Sequence, residues 1–354
     1  MSRFLNSSLK GLVPYTPGEQ PQNKKYVKLN TNESPFPPSE KALDSIGRGE
    51  LGDLRLYSDP VCRGVRERLA RVLGVEIENT VVTNGSDEAL NFFFASFCEN
   101  GVVFNDITYG FYKVFADLYS LDYTEIPLLP DFSVDVDKFI GINKNVVIAN
   151  PNAPTGLALP LSVIEEIVRS NPENIVLVDE AYIDFGGESA VPLTKKYDNL
   201  LVVGTFSKSR SLAGARIGYA VGSKELISDM HAIRYSTNPY NVNRLTLKIA
   251  EAVLDDNGYY MDNCRRIIEN REYATAELRR RGFSVLDSKA NFIFAKSEKI
   301  PGEEYYLRLK EKGVLVRHFT NPRICEYNRI TIGTKEDMDV LLSATDEIFK
   351  ELSI

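Results

Sequence analysis

Short apolar runs alternate with amphipathic segments along the chain from about residue 60 to residue 222. In Cys62–Gly74 the residues Val65, Leu69 and Val72 recur at helical spacing, so the pattern predicts a helix that ends at the glycine. Three further helices are predicted at SDEALNFFFASFC, YGFYKVFADLYS and SVIEEIVRS. Strands are predicted between them, at NTVVTNG, GVVFN, DYTEIPL, NVVIA, NIVLVDEAY, NLLVVGTFS and RIGYAVG.

Apolar strands separated by helices are typical of a mostly parallel sheet that helices cover on both faces, so the predicted fold class is α/β. After about residue 222 helices dominate, and the last third mixes strands and helices, which predicts a smaller α+β domain. The length of 354 residues allows two domains. We predict an arm over residues 1–45 that contributes to the small domain and to a dimer contact, a large domain over 46–245 and a small domain over 246–354.

Charge and cysteine content argue against several function classes. The formal net charge is −7 and no run of five basic residues occurs, so nucleic acid is not an expected partner. The four cysteines lie far apart with no histidine pair nearby, so we expect neither a metal site nor a disulfide framework. No segment has the character of a membrane span or a signal peptide, and the expected location is cytoplasmic.

Polar clusters follow the predicted strands, and in open α/β sheets ligands bind beyond the carboxyl ends of the strands. In the first cluster, Gly85 and Ser86 stand at a strand-to-helix junction, where free backbone N–H groups bind anions. Ser86 could instead be only a helix cap, with Asp87 favoured by the helix dipole. In the second cluster, NPNAPTG, Asn152 could donate a hydrogen bond to a ligand, or the loop could merely connect two elements.

The other two clusters carry charge. Asp179 stands where an apolar strand ends, so we expect its carboxylate to be partly buried and to need a cationic partner. Tyr182 can reach the same region, although a capping aspartate and a packing tyrosine also fit. Lys208, in TFSKSRSLAGARIG, can form a Schiff base with an aldehyde, and Arg216 can bind a phosphate through two N–H groups. Taken alone, Lys208 fits a solvated loop lysine better.

Together, the four clusters match the needs of pyridoxal phosphate. This cofactor needs an anion site for its phosphate, a carboxylate for its ring nitrogen, a donor to its phenolic oxygen and a lysine for its aldehyde. A carboxylate near the ring nitrogen makes the ring an electron sink. The sequence supplies these groups at predicted strand ends, in the order Gly85–Asp87, Asn152, Asp179, Tyr182, Ser207, Lys208 and Arg216.

The chain resembles the fold type I pyridoxal-phosphate enzymes and, within them, the histidinol-phosphate aminotransferases. The resemblance covers nearly the whole chain and implies a seven-stranded, mostly parallel sheet between helices, with a smaller α+β domain. The family's loop often reads NPNNPTG; here Ala153 replaces the second asparagine, while Asn152 is present. The blocks that carry the resemblance are KLNTNESPFPPS, RLYSDP, NGSDE, ITYGFY, NPNAPTG, DEAYIDF, FSKSRSLAGARIGY and RITIGT.

The resemblance also implies a role for each residue of these blocks. Lys208 would bind the cofactor's aldehyde and then carry a proton between the substrate carbon and the cofactor, and Asp179 would pair with the ring nitrogen. Asn152 and Tyr182 would bind the phenolic oxygen, and Tyr109 would stack on the ring. The phosphate would be surrounded by Gly85, Ser86, Asp87, Thr205, Ser207 and Arg216, together with Tyr57 from the neighbouring subunit of a homodimer.

The implied reaction is a ping-pong transamination between histidinol phosphate and 2-oxoglutarate, through pyridoxamine phosphate, in histidine biosynthesis. Its products are imidazole acetol phosphate and glutamate. Arg329 would bind the α-carboxylate of the acid partner, and Arg317 would suit a phosphate or a distal acid, although it also fits a surface strand. Tyr15 and Asn32, on the arm, would line the entrance.

Two neighbouring activities stay open as alternatives to this reaction. Threonine-phosphate decarboxylases and aromatic-amino-acid aminotransferases are close to the same family. A binding protein that keeps the fold without catalysis is disfavoured, because Lys208 and Asp179 are both present.

Overall fold

The computed structural model describes residues 3–22 and 24–354. The strands are β1 (Val27–Leu29), β2 (Thr80–Thr83), β3 (Val102–Asn105), β4 (Tyr123–Ile126), β5 (Asn145–Ala149), β6 (Val176–Asp179), β7 (Leu200–Thr205), β8 (Gly218–Val221), β9 (Phe283–Val285), β10 (Phe292–Ser297), β11 (Val314–His318) and β12 (Tyr327–Thr331). The helices are α1 (Glu40–Asp44), α2 (Arg48–Gly52), α3 (Arg63–Leu73), α4 (Ser86–Ser96), α5 (Phe111–Leu118), α6 (Leu161–Ser170), α7 (Lys224–Thr237), α8 (Arg244–Asp255), α9 (Asn257–Arg280), α10 (Gly302–Glu311) and α11 (Lys335–Leu352). Within the described ranges, no helix combines the length and the apolar character that a membrane crossing requires.

The larger sheet has seven strands in the order β2-β8-β7-β6-β5-β3-β4. The five strands from β7 to β4 are parallel, and β8 pairs antiparallel with both β7 and β2. The predicted mostly parallel sheet between helices is therefore confirmed. Its inner strands β5, β6 and β7 are mostly apolar because both faces are covered. In β5, for example, Val147 packs in one core, whereas Val146 and Ile148 pack in the other.

The smaller sheet has five strands in the order β1-β11-β12-β10-β9, and only β1 and β11 are parallel. β1 comes from the loop-rich N-terminal segment and pairs Val27 with Val314. The domain boundaries at residues 45 and 245 stay a prediction. In this structure α8 shares a hydrophobic core with α3, through Leu247 and Leu69, so its side chains pack on the large-sheet side.

Candidate active site

The carboxyl edge of the large sheet encloses a cavity of about 390 Å³. The parallel register explains why distant residues meet there: Ala149 pairs with Asp179, and Asp179 pairs with Val203, so the segments after β5, β6 and β7 leave the sheet side by side. Most of the residues that we predict to bind the cofactor line this cavity, namely Ser86, Asp87, Tyr109, Asp179, Tyr182, Thr205, Ser207, Lys208 and Arg216.

One wall of the cavity is the beginning of α4. Gly85 precedes this helix with a φ of 76°, and a Cβ at Gly85 would lie 2.7 Å from the Arg216 guanidinium. Arg216 is itself in the left-handed region, with a φ of 56°, and donates from Nη2 to Asp87 Oδ2 at 3.0 Å. A helix N-terminus beside a guanidinium is suited to bind an anion, and the anion site of the first cluster stays a prediction.

Asp179 is a buried carboxyl group at the end of β6. The Tyr112 hydroxyl donates to Oδ2 at 2.7 Å, and the backbone N–H of Ala181 donates to Oδ1 at 3.1 Å. Burial raises the pKa of Asp179 to about 6, although both hydrogen bonds act in the opposite direction. A cation in the cavity would therefore favour the ionised carboxylate.

Lys208 enters the cavity from the loop that follows β7. Its Nζ donates to the carbonyl oxygen of Thr31 at 3.4 Å and lies 5.7 Å from the centre of the Tyr182 ring. The loop is held by Thr205, whose hydroxyl donates to Ser207 Oγ at 3.0 Å and accepts from the Ser207 N–H at 3.1 Å. Lys208 is thus a partly buried cavity residue and not a solvated loop lysine.

Asn152 lies next to the cavity, but protein groups already bind its side-chain amide. Its Nδ2 donates to the carbonyl oxygen of Ile107 at 3.0 Å and to Thr155 Oγ1 at 3.1 Å, and its Oδ1 accepts from the Thr108 hydroxyl at 2.8 Å. If the Asn152 amide N–H is to bind a cofactor, one of its hydrogen bonds to the protein has to break. The ring contact of Asn152 therefore stays a prediction.

A second cavity, of about 500 Å³, adjoins the first one and shares Tyr109, Tyr182 and Lys208 with it. Arg329, on β12, is half-buried in its wall, with its guanidinium 5.4 Å and 5.9 Å from the centres of two phenylalanine rings. Its Nη2 donates to the carbonyl oxygen of Asn30 at 3.0 Å, whereas its buried Nε has no hydrogen-bond partner among the described residues. Desolvation lowers the pKa of Arg329. A half-buried guanidinium that lines a cavity is suited to bind an anion.

Arg317 and Tyr15 line the same cavity as Arg329. Arg317 donates to the carbonyl oxygens of Thr16 and Pro17, at 3.2 Å in each case. Tyr15 stacks on Phe111, with ring centres 4.4 Å apart, and burial raises the pKa of Tyr15. The arm is therefore fixed over this cavity. Because backbone carbonyls occupy Arg317, its contact with a substrate anion stays a prediction.

Two further predicted site residues differ in their exposure. Tyr57 is 78% exposed, stacks on Tyr240 at 4.3 Å and lines neither cavity. Asn32 lines the second cavity but is only 1% exposed, and its amide donates to the Tyr182 hydroxyl at 2.9 Å. The reach of Tyr57 into a neighbouring subunit stays a prediction, and Asn32 contacts a residue of the predicted cofactor site.

The model of the family "Aminotransferase class I and II" matches residues 24–344. The chain belongs to the aminotransferase class I and II family. A histidinol-phosphate aminotransferase of Brachyspira hyodysenteriae is 47% identical over 353 residues, which cover 99% of this chain and 100% of that protein.

Two solved structures show that this aminotransferase has the fold of its family. Histidinol-phosphate aminotransferase from Sinorhizobium meliloti, in complex with pyridoxal-5′-phosphate, superposes with a TM-score of 0.89 at 24% identity, over 99% of each chain. L-threonine-O-3-phosphate decarboxylase from Porphyromonas gingivalis superposes with a TM-score of 0.78 at 22% identity, over 91% of this chain and 99% of that one. Two different activities therefore share this fold, and the site has to distinguish them.

Sequence reasoning missed two residues of this aminotransferase's site. Tyr112 is wholly buried and binds Asp179, and Thr31 accepts the hydrogen bond of Lys208. Tyr112 belongs to the ITYGFY block that carries Tyr109, and the ring centres of the two tyrosines lie 5.7 Å apart. The contact of Thr31 with Lys208 spans 177 positions, and no local pattern indicates it.

Proposed function

We propose that this chain is a pyridoxal 5′-phosphate-dependent aminotransferase that transfers the amino group of L-histidinol phosphate to 2-oxoglutarate. The observation that carries the proposal is the meeting of Lys208, Asp179 and Arg216 in one cavity, next to Arg329, which lines the adjoining cavity. The 47% identity with a histidinol-phosphate aminotransferase over the full length supports the choice of substrate. The products are imidazole acetol phosphate and glutamate, and the reaction is a step of histidine biosynthesis.

The residues of the first cavity fit the cofactor. Lys208 would bind its aldehyde, Asp179 its protonated ring nitrogen, and Arg216 with the N-terminus of α4 its phosphate. The pKa of Asp179, raised to about 6, supports this assignment, because a carboxyl group in that state gains from a neighbouring cation. The other contacts that we assign are Tyr109 to the ring face, Tyr182 and Asn152 to the phenolic oxygen, and Gly85, Ser86, Asp87, Thr205 and Ser207 to the phosphate.

When bound, the cofactor supplies an electron sink beside the substrate carbon that loses a proton. Lys208, whose side chain lines both cavities, would take this proton from the substrate carbon and pass it to the cofactor. Asp179 keeps a negative charge near the ring nitrogen, and the Tyr112 hydroxyl, at 2.7 Å, fixes the orientation of its carboxylate. Arg329, whose side chain lines the second cavity, would bind the anionic group of the substrate.

The half-reaction tests this proposal. Protein loaded with the cofactor is mixed with L-histidinol phosphate in the absence of an oxo acid. We expect one equivalent of imidazole acetol phosphate per site and the absorbance of the pyridoxamine form. Addition of 2-oxoglutarate should restore the first spectrum and yield glutamate. Release of carbon dioxide from threonine phosphate, or transfer from aromatic amino acids alone, would assign the chain to one of the alternative activities.

Lys208→Ala tests the catalytic amine. We expect turnover to fall by at least about a hundredfold, because the group that moves the proton is removed. The phosphate site around Arg216 should still bind the cofactor, as measured by equilibrium dialysis. Lys224→Ala is a matched control at an exposed position on α7 and should keep wild-type turnover. Wild-type turnover in Lys208→Ala would contradict the assigned role.

We also propose a homodimer in which Tyr57 reaches the cavity of the neighbouring subunit. The exposed Tyr57 stands among other exposed apolar side chains, and an exposed group of this kind marks an interaction surface. These side chains, between 37% and 53% exposed, are Leu51, Leu54, Leu56 and Val61. The predicted cytoplasmic location is kept as part of the proposal.

A further inference from the structure

Asn32 is a buried residue in an unusual backbone conformation. It is 1% exposed and has a φ of 55°, which asparagine tolerates better than most residues other than glycine. Its backbone N–H donates to the Thr331 hydroxyl at 2.9 Å, and its carbonyl oxygen accepts from the Asn291 amide at 3.0 Å. Both partners belong to the C-terminal third of the chain. A residue held in such a conformation from several sides points to a functional position.

The orientation of the Asn32 side-chain amide follows from its contact with Thr331. The Thr331 hydroxyl oxygen accepts from the Asn32 N–H, so its own hydrogen is free to donate, and it donates to Asn32 Oδ1 at 3.0 Å. The NH2 group of the amide therefore faces away from Thr331 and donates to the Tyr182 hydroxyl oxygen at 2.9 Å. The opposite orientation would leave the buried Thr331 hydrogen without its acceptor.

The hydrogen of the Tyr182 hydroxyl is consequently directed away from Asn32. A phenol has one hydrogen, and its oxygen can accept one hydrogen bond while it donates another. The ring is fixed against Phe292, with perpendicular planes and centres 5.0 Å apart, and it lines both cavities. The space that remains open to this hydrogen is that of the two adjoining cavities, both of which Lys208 also lines.

We propose that Asn32 is a positioning residue for Tyr182, whose oxygen it binds so that the hydroxyl hydrogen points to the phenolic oxygen of the cofactor. The inference rests on the proposed function, because it requires the cofactor in this cavity. Asn32 is also connected to Arg329, the residue that we assign to the substrate anion. Thr331 and Arg329 are two residues apart on β12 and share a face of that strand, and Arg329 binds the carbonyl oxygen of Asn30. The segment 30–32 therefore connects the anion-binding strand with Tyr182.

A pH titration tests this role: the absorbance of the bound cofactor is measured without substrates as the pH is varied. A hydrogen bond donated to the phenolic oxygen stabilises its anionic form, so its loss raises the pH midpoint of the absorbance change. We expect Asn32→Asp to raise the midpoint by about one pH unit, because a buried hydrogen bond is worth about as much as one unit of pKa. The carboxylate that this variant introduces can only accept, so it draws the Tyr182 hydrogen to itself. Aspartate also tolerates the left-handed backbone.

A double variant shows whether Asn32 acts through Tyr182. Tyr182→Phe should raise the midpoint at least as much as Asn32→Asp does. In the combined variant, the Asn32 substitution should add no further shift, because the hydroxyl on which it acts is gone. Asn328→Ala is the matched control: Asn328 is also 1% exposed and lies on β12, but it donates to the carbonyl oxygen of Gly302 at 2.9 Å. It should lower the unfolding temperature and leave the midpoint unchanged.

Each outcome is decisive. An unchanged midpoint in Asn32→Asp overturns the inference and leaves the proposed function intact, provided that the protein holds the cofactor and transaminates histidinol phosphate. The inference is also overturned if the midpoint shifts of Asn32→Asp and Tyr182→Phe add up in the combined variant, because Asn32 then acts independently of the Tyr182 hydroxyl. If Asn32→Asp does not fold, Asn32→Gly keeps the left-handed backbone without the amide and should give a smaller rise. A wild-type protein that binds no cofactor overturns both proposals.

Discussion

Glu180 directly follows the proposed partner of the cofactor's ring nitrogen, Asp179, but it does not line the cofactor cavity. The backbone N–H of Ala190 donates to its Oε1 at 2.5 Å, and the Ser189 hydroxyl donates to its Oε2 at 2.6 Å. Burial, with the nearby carboxylates of Asp184 and Asp179, raises the pKa of Glu180 to about 8 against the effect of these two hydrogen bonds. Burial therefore favours the protonated form of this side chain up to a higher pH than for an exposed glutamate.

The raised pKa of Glu180 predicts a dependence of stability on pH. Because the folded-state pKa lies above the unfolded value of 4.5, the stabilising contribution is fully present below that value and is lost as the pH rises through about 8. Glu180→Gln removes the charge, so the variant should unfold a few degrees above the wild type in alkaline buffer. Near about pH 5 the advantage should disappear. Thermal unfolding followed by circular dichroism measures the difference.

A control for this prediction is Glu165→Gln. The hydrogen bond from Lys196 lowers the pKa of Glu165, so the contribution of Glu165 to stability is lost only as the pH falls. The offset between the wild type and Glu165→Gln should therefore stay constant from neutral to alkaline pH. If the offset of Glu180→Gln is also constant there, the raised pKa of Glu180 is refuted.

At the scale of elements, the geometry of the N-terminus of α4 depends on the backbone conformation of one residue, Gly85. Gly85 holds a φ of 76° next to Arg216, and this pairing joins the helix N-terminus to the guanidinium in one anion site. The helix N-terminus and the guanidinium both lie next to the large sheet, since α4 follows β2 and Arg216 precedes β8. The proposed phosphate site is thus formed by segments next to two neighbouring strands and not by one loop.

Gly85→Ala should weaken cofactor binding by about tenfold or more, because strain in the left-handed region and a displaced guanidinium cost on the order of 1–3 kcal/mol. The added Cβ would lie 2.7 Å from Arg216 Nη2. Titration of the cofactor-free protein, followed by absorbance, measures the dissociation constant. Gly74→Ala is the control: Gly74 has a φ of 68° but open space around its Cβ position. It should lower stability and leave cofactor affinity unchanged; equal losses of affinity in both variants would contradict the role of the Arg216 contact.

The whole molecule assembles the site from segments that are remote in the chain. The arm supplies Thr31 to the cofactor cavity and is fastened to α10 by Glu19, which accepts from Tyr306 at 2.6 Å and from Lys310 at 2.5 Å. Tyr57, by contrast, lies exposed outside both cavities. In the proposed dimer, each active site is completed by the partner.

Mixed dimers test this arrangement. Chains with Lys208→Ala and chains with Tyr57→Ala should each show low turnover as homodimers. A mixed dimer has one site with an intact Lys208 and an intact Tyr57 from the partner, so turnover should return to about half of the wild-type value. Co-expression with two different affinity tags isolates the mixed species. Turnover no higher than that of the parent dimers would show that Tyr57 does not act across the interface.

Much of the large sheet could be predicted from the sequence, because strands buried on both faces are apolar along their length. Asp179 was recognisable for a related reason, since its polar side chain interrupts an apolar pattern at the end of a strand, whereas Lys208 was recognisable only together with the other clusters. β1 was not recognisable. It has three residues and becomes a strand only through its pairing with Val314–Val316.

By itself, the sequence determined the α/β fold class, the alternation of elements and the cofactor, because the residues predicted to bind pyridoxal phosphate stand at fixed places relative to strand ends. Only the tertiary structure decided that the Asn152 amide is bound by protein groups, that Arg329 is half-buried with an unpaired Nε–H, and that Asn32 binds Tyr182. The last contact joins residues 150 positions apart. Such contacts depend on how the two sheets and the arm pack together, and no local pattern of apolar and polar residues encodes that packing.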